Sequence, residues 1–165
     1  MSANGINVTE AVKDSIYRSC LCLDDQKWDE WLDLCDEDFE YSITAYSPEI
    51  RRDMKYLSGS RKDMSVMLGM LPKHNSDHSP LRRHATVYTV DVDEDGKTAT
   101  AVTSLVIYME MLDGINSHID SGESRLFATG KYHDKFRIDG GKVKFIEREV
   151  KIDNRRLDKG SHLPF

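Results

Sequence analysis

Apolar residues in the first half of the chain recur every three or four positions, which is the period of an α-helix with one buried face. Asn7 and Glu10 have the spacing of a capping box and predict a first helix that ends near Leu23. Asp24 or Asp25 is predicted to cap a short second helix. The apolar face of that second helix is predicted to consist of Trp28, Trp31, Leu32 and Cys35.

One strand and one further helix are predicted next. Apolar and polar residues alternate over 39–45, as in a half-buried strand, and Pro48 marks the end of that strand. Ser60 and Asp63 repeat the capping-box spacing at the start of the third helix. This helix is predicted to stop at Pro72, because proline has no N–H to donate and clashes with the preceding turn.

The second half of the chain changes to a period of two, which is typical of β-strands. Residues 88–92 and 99–109 alternate on either side of an acidic turn that ends in Gly96, so they predict a long hairpin. A loop at 114–122 leads into the next predicted strand. The buried face of that strand is predicted to carry Leu126, Ala128, Tyr132, Phe136 and Ile138.

The last strand is predicted to run from Lys142 to about Asp153, after a tight turn at 139–141. Its apolar alternation slips between Phe145 and Ile146, which predicts a β-bulge. Helices followed by a meander of long antiparallel strands are the element order of an α+β domain. We therefore expect one domain over residues 1–165, with the N-terminal helices packed on a curved sheet.

The charge balance argues against nucleic acid as a partner. Lys and Arg number 23 against 29 for Asp and Glu, so the net charge is −6 and repels phosphate backbones. No apolar run approaches the roughly 18 residues that a membrane span requires. The chain has three cysteines and no charged-then-apolar leader, which is typical of a reduced, cytoplasmic protein.

Three histidines and an aspartate, His74, Asp77, His78 and His84, are the nearest approach to a metal-binding cluster. The i, i+4 spacing of His74 and His78 would place two ligands on one face of a helix. A proline on each side, however, prevents this stretch from being one continuous helix. A solvated polar loop is the favoured interpretation, and no metal site is assigned.

The cysteines and the motifs provide no nucleophile. Cys20 and Cys22 are two positions apart in the first helix and point away from each other, so neither a shared metal nor a disulfide fits them. Together with Cys35 they are interpreted as buried structural residues. No Walker sequence, Gly-x-Gly-x-x-Gly or Gly-x-Ser-x-Gly motif occurs. We therefore assign no catalytic, cofactor-binding or metal-binding residue to this chain.

Three Arg-Arg pairs are prominent in this acidic chain: Arg51–Arg52, Arg82–Arg83 and Arg155–Arg156. A solvated surface is the favoured interpretation of all three. The alternative is docking onto an acidic partner through bidentate carboxylate pairs.

Arg148 differs from these pairs because it shares the inward parity of the last strand with Val150 and Ile152. A buried guanidinium requires a carboxylate partner. Asp38 is the preferred candidate, ahead of residues across the sheet from Glu149. The favoured role of Arg148 is a structural ion pair, and the alternative is the floor of a ligand pocket.

The element order and several short motifs resemble the small (beta) subunit of the Rieske-type aromatic-ring-hydroxylating oxygenases. This resemblance runs from about Ala11 to Phe165. The matching stretches are residues 28–32, 36–41, 82–84, 130–134 and 148–153, followed by Arg156-Leu157. The segment Tyr46-Ser47-Pro48-Glu49 lacks the proline-and-arginine pattern of many members that act on aromatic rings, so the motif does not indicate an aromatic substrate.

The resemblance implies a cone-shaped α+β fold, shared with nuclear transport factor 2, ketosteroid isomerase and scytalone dehydratase. It also implies a structural subunit without catalytic metals, which forms a homotrimer and carries a trimer of the large (alpha) subunit in an α3β3 assembly. The Rieske [2Fe-2S] cluster and the mononuclear iron are then expected in the large subunit. The sequence agrees on this point, because it contains neither the Cys-x-His nor the Cys-x-x-His motif of a Rieske centre.

The alternative from another class is a free-standing enzyme of the same fold, such as an isomerase, dehydratase or cyclase. It would need an acid and a base with separated pKa values in a pocket between the helices and the sheet. Tyr17, Asp38 and His84 are the candidates for those groups.

Overall fold

A computed structural model describes residues 7–74, 77–112, 116–157 and 163–165. Its helices are α1 (Val8–Asp24), α2 (Trp28–Asp33), α3 (Arg61–His74) and the single-turn α4 (Ser117–Asp120). Its strands are β1 (Cys35–Ser47), β2 (Arg52–Ser60), β3 (Leu81–Val92), β4 (Thr98–Glu110), β5 (Ser124–Asp139) and β6 (Lys142–Ile152).

The six strands form one mixed sheet in the order β2-β1-β6-β5-β4-β3. β1 and β6 are parallel, and every other neighbouring pair is antiparallel. The helices cover one face of this sheet, with α1 against β3 and β6 and α3 against β1 and β2. We call this covered face the inner face. The arrangement confirms the predicted α+β class.

The first helix begins as predicted, with the Asn7 side chain accepting a hydrogen bond from the Glu10 amide at 3.4 Å. The predicted cap of the second helix is wrong. Asp24 is the last residue of α1 and Asp25 is its C-cap, whereas Lys27 precedes α2 and makes no side-chain cap bond. Gln26 follows with a φ of 55°, and the Lys27 amide donates to the Cys22 carbonyl at 2.8 Å, so this stretch closes the end of α1 instead of capping α2.

Two other boundaries differ from the prediction. α3 continues past Pro72 to His74, because a proline in the last turn removes only one helical hydrogen bond while Leu71 beside it stays buried. Cys35 lies in β1 rather than in α2, and its side chain is buried there.

Strand β2 was not predicted, because this edge strand buries none of its side chains fully and so shows no apolar alternation. It pairs with β1 along its length, from Ser47↔Arg52 to Glu40↔Ser60. The other edge of the sheet is β3, which is partly covered by α1. The Arg83 amide donates to the Asp24 carboxylate at 3.1 Å and the Val87 amide to the Tyr17 hydroxyl at 3.3 Å.

Bulges set which side chains reach the inner face. The predicted bulge in β6 is confirmed, because the register with β5 skips Ile146 and leaves both Phe145 and Arg148 buried. A second bulge skips Phe127 in β5, so Phe127 is buried and Leu126 is 55% exposed. The prediction that Leu126 belongs to the buried face is therefore wrong.

Candidate functional site

Arg148 and Asp134 form a buried ion pair at the centre of the inner face. The two residues are direct partners in the β5–β6 register, and their side chains are 1% and 0% exposed. Arg148 Nε donates to Asp134 Oδ1 and Nη2 donates to Oδ2, each at 2.8 Å. This bidentate geometry confirms that Arg148 points inward and meets a carboxylate.

The prediction that Asp38 is the carboxylate partner of Arg148 is wrong. Asp38 alternates with the buried Phe39, so its side chain points to the solvent face, where it is 76% exposed and lies 3.2 Å from Arg137 Nη2. The correct partner had a signal in the sequence. Asp134 shares the parity of Tyr132 and Phe136, so a carboxylate on the buried face of β5 could have been matched to the inward arginine.

The remaining surfaces of the Arg148 guanidinium are also occupied. Nη1 donates to Ser19 Oγ at 3.0 Å, and Ser19 in turn donates to the Ile16 carbonyl at 2.6 Å. The Tyr132 and Phe145 rings lie 3.8 and 4.5 Å from the guanidinium carbon. All three nitrogens of Arg148 thus form hydrogen bonds within this chain and two rings lie against its guanidinium, which favours a structural role over the floor of a ligand pocket.

The pair is held in its charged form. Burial alone would lower the pKa of Arg148, but the charge and hydrogen bonds of Asp134 raise it. Burial raises the pKa of Asp134, and the charge and hydrogen bonds of Arg148 oppose that shift. Because a guanidinium does not lose its proton, the carboxylate beside it remains ionised.

The other buried acids near this pair are neutral at physiological pH. Burial raises the pKa of Cys35 to about 12 and raises that of Cys20. Burial also raises the pKa values of the Tyr41 and Tyr132 phenols. The prediction of buried structural cysteines is confirmed for Cys20 and Cys35, and none of these four groups is a ready nucleophile.

A groove of about 660 Å³ lies between α1 and strands β3 and β4, and it is where a free-standing enzyme would most naturally bind a substrate. Tyr17 and His84 both line this groove, whereas Asp38 does not. The carboxylate that lines it is Asp24, which is already paired with Arg83 Nη1 at 2.7 Å. The structure therefore does not assemble the acid and base candidates of the enzyme alternative.

The histidine cluster is not brought together as a metal site. His74 ends α3, and His84 lies on β3 with its ring 5.6 Å from that of Tyr108. Within residues 7–74, 77–112, 116–157 and 163–165, no three His, Cys, Asp or Glu side chains form a group that could hold a metal ion.

The second Arg-Arg pair departs from the predicted solvated surface. The Arg83 side chain is 1% exposed, and it joins Asp24 to the Pro164 carbonyl, which accepts from Nη2 at 2.8 Å. Arg82 donates to the Asp24 carbonyl at 2.7 Å. The burial of Arg83 was not predicted, because its partners Asp24 and Pro164 are distant from it in sequence. The first and third pairs are exposed or half-exposed, as predicted.

Comparison with known proteins places this architecture in a family. Residues 6–149 match the model of the SnoaL-like domain. The chain is 56% identical over 98% of its length to the methanesulfonate monooxygenase hydroxylase beta subunit of Methylosulfonomonas methylovora, of which it covers 90%. It is 28% identical to the 2-aminobenzenesulfonate 2,3-dioxygenase beta subunit of an Alcaligenes species, with 94% of this chain and 98% of that protein covered.

A solved structure agrees at the level of the fold. The beta subunit of a putative aromatic-ring-hydroxylating dioxygenase from Novosphingobium aromaticivorans superposes with a TM-score of 0.75 at 23% identity, covering 95% of this chain and 96% of that one. No helix among the described residues has the length and apolar character needed to cross a membrane. The chain belongs to the SnoaL-like domain family, and it is similar to the beta subunits of a monooxygenase hydroxylase and of a dioxygenase.

Proposed function

We propose that this chain is the assembly subunit of a hydroxylase whose large subunit carries the Rieske cluster and the mononuclear iron. In this proposal three copies of the chain form a trimer that supports three large subunits in an α3β3 complex. The observation that carries the proposal is the 56% identity, over nearly the whole chain, to a hydroxylase beta subunit. The chain acts in the cytoplasm and binds neither nucleic acid nor membrane.

We assign no catalytic, cofactor-binding or metal-binding residue to this chain. The polar groups of the inner face support that assignment, because Arg148 and Asp134 satisfy each other and the buried thiols and phenols are protonated. The free-standing isomerase, dehydratase or cyclase is not favoured, because Tyr17 and His84 share a groove whose carboxylate is neutralised by Arg83.

For the complex as a whole, we propose a sulfonate as the substrate. Both relatives belong to oxygenases named for sulfonates, and the more similar one belongs to a methanesulfonate monooxygenase. A short alkanesulfonate also agrees with the sequence at 46–49, which lacks the pattern of members that act on aromatic rings. Substrate-dependent oxygen uptake by the reconstituted hydroxylase, compared between methanesulfonate and 2-aminobenzenesulfonate, tests this proposal.

The assembly is tested by co-expressing a tagged copy of this chain with the large hydroxylase subunit from the same organism. We expect the two chains to co-elute in equal amounts, with a light-scattering mass that corresponds to three copies of each. The tagged chain expressed alone is the control and should elute as a trimer. A folded large subunit that elutes without this chain, together with a monomeric tagged chain, would contradict the proposal.

A further inference from the structure

The segment Leu163–Phe165 lies against the inner face of the sheet. Phe165 is 1% exposed and is among the largest fully buried side chains of the protein. Its ring meets that of Phe127 edge to face, with 5.4 Å between the centroids. Leu163 packs against the same core. An aromatic ring at this depth contributes as much burial as a residue of the central strands.

Side chains from two strands bind the backbone of this segment. The Phe165 amide donates to the Tyr41 hydroxyl at 2.7 Å, and the Pro164 carbonyl accepts from Arg83 Nη2 at 2.8 Å. Tyr41 lies on β1 and Arg83 on β3, near opposite edges of the sheet. One side-chain acceptor for an N–H, one side-chain donor for a C=O and one aromatic contact are the groups by which proteins bind short peptides.

Arg83 is held by Asp24 on α1 through contacts that do not involve residues 163–165. Its Nη1 forms an ion pair with Asp24 at 2.7 Å, and its own backbone amide donates to the same carboxylate. The guanidinium is thus oriented by α1, and Nη2 is left to bind a carbonyl. Such preorganisation reduces the entropy that a ligand loses on binding.

We propose that Tyr41, Arg83 and Phe127 form a binding site for a leucine-proline-phenylalanine peptide, and that the chain's own residues 163–165 occupy this site as an internal ligand. The site lies between the helices and the sheet, and it shares Arg83 with the groove between α1 and strands β3 and β4. Residues 163–165 fill the part of this space next to Tyr41 and Phe127.

The test removes residues 163–165 and supplies them again as a separate peptide. The truncated chain should melt at a lower temperature than the full chain. Acetyl-Leu-Pro-Phe should raise its melting temperature and bind measurably by calorimetry, whereas acetyl-Leu-Pro-Ala should do neither. The full chain, whose site is occupied, should bind neither peptide.

Substitutions in the truncated chain separate recognition from general packing. Tyr41→Phe removes the hydroxyl that accepts the Phe165 amide and should weaken binding of acetyl-Leu-Pro-Phe about 3- to 10-fold. Tyr46→Phe is the matched control on the same strand, because Tyr46 is 56% exposed, and it should leave binding unchanged.

Three outcomes would overturn the inference. They are an unchanged melting temperature after truncation, equal effects of the two peptides, and binding of acetyl-Leu-Pro-Phe by the full chain. If the truncated chain does not fold, full-length Phe165→Ala replaces it. Toluene should then stabilise Phe165→Ala but not the wild type, since an emptied apolar cavity binds apolar ligands, and no stabilisation would count against the site. These experiments use this chain alone, so their failure would not affect the proposed binding of the large subunit.

Discussion

At the scale of single residues, the buried Arg148–Asp134 pair is the feature on which the inner face depends most. The desolvation of two charges is costly, and it is offset here by a bidentate contact, by Ser19 and by the Tyr132 and Phe145 rings. A pair of this kind contributes little net stability over a well-packed apolar pair. Loss of one partner, however, leaves an uncompensated charge in the core.

Replacing Arg148 by Ala should lower the free energy of unfolding by about 3–5 kcal/mol, because Asp134 is left buried and unpaired. The folded yield of the chain and of its complex should fall together. Lys135→Ala is the matched control, since its ion pair with Glu147 is exposed on both sides, and it should lower the free energy of unfolding far less. Urea titrations of the variants measure both values, and an unchanged midpoint for Arg148→Ala would contradict a structural role.

Alkaline pH should destabilise the protein. Burial raises the pKa of Cys35 to about 12 and raises those of Cys20 and Tyr132, whereas an unfolded thiol titrates near about 8.5. Above that pH the unfolded chain binds fewer protons than the folded one, so the free energy of unfolding falls as pH rises. Between a pH of about 8.5 and its folded pKa, the Cys35 thiol alone contributes a slope of at most about 1.4 kcal/mol per pH unit.

Denaturant titrations between pH 8 and 11 measure this slope. Cys35→Ala should have a shallower slope than the wild type, whatever its stability at pH 8. Stability that stays level or rises across this range would be inconsistent with buried, protonated thiols and phenols.

The residue scale also separates what the sequence could predict from what it could not. Strand parity alone predicts that Arg148 is buried, because parity is a local property of β6. The partner requires the register between β5 and β6, and a bulge at Ile146 shifts that register by one residue. The preference for Asp38 failed because Asp38 alternates with the buried Phe39 and so points to the solvent face, whereas the parity of Asp134 places it on the inner face.

At the scale of elements, close contact between β5 and β6 depends on Gly130. A Cβ atom at this position would lie 2.1 Å from the Lys151 carbonyl oxygen and 2.8 Å from Ile152 Cα. Both contacts are with backbone atoms, so a side chain could be accommodated only if the strands moved apart. Gly69 in α3 has open space in the same position.

Gly130→Ala should therefore destabilise the protein by about 1–3 kcal/mol, the typical cost of overpacking. Gly69→Ala is the control and should stabilise it by about 0.5–1 kcal/mol, because alanine favours a helix interior. Thermal melts of both variants measure these changes in stability. A neutral Gly130→Ala would show that the two strands are not as close as this register requires.

Elements with a buried face could be predicted from sequence, and those without one could not. α1, β4 and β6 each bury apolar residues at regular spacing. These patterns predict whether each element is a helix or a strand, and approximately where it begins and ends. β2 is held by backbone bonds to β1 and buries little, so no periodicity marks it. The docking of Phe165 onto Phe127 likewise depends on a tertiary contact that no local pattern encodes.

At the scale of the whole molecule, self-association should appear as a dependence of stability on concentration. If only the folded chain forms a trimer, mass action raises the melting temperature as the protein concentration rises. Scans between about 1 and 100 μM measure this shift, and light scattering at the same concentrations gives the mass. A melting temperature independent of concentration, together with a monomer mass, would count against the trimer.

In the proposed complex the large subunit holds the metal centres and this chain holds none, so the distribution of iron between the two chains distinguishes their roles. The co-purified complex is separated into its chains under conditions that retain tightly bound metal, and iron and acid-labile sulfide are measured on each. We predict that both remain with the large subunit and that this chain holds no stoichiometric iron, since its sequence lacks the paired Cys and His ligands of a Rieske centre. Iron near one atom per copy of this chain that survives chelation would contradict it.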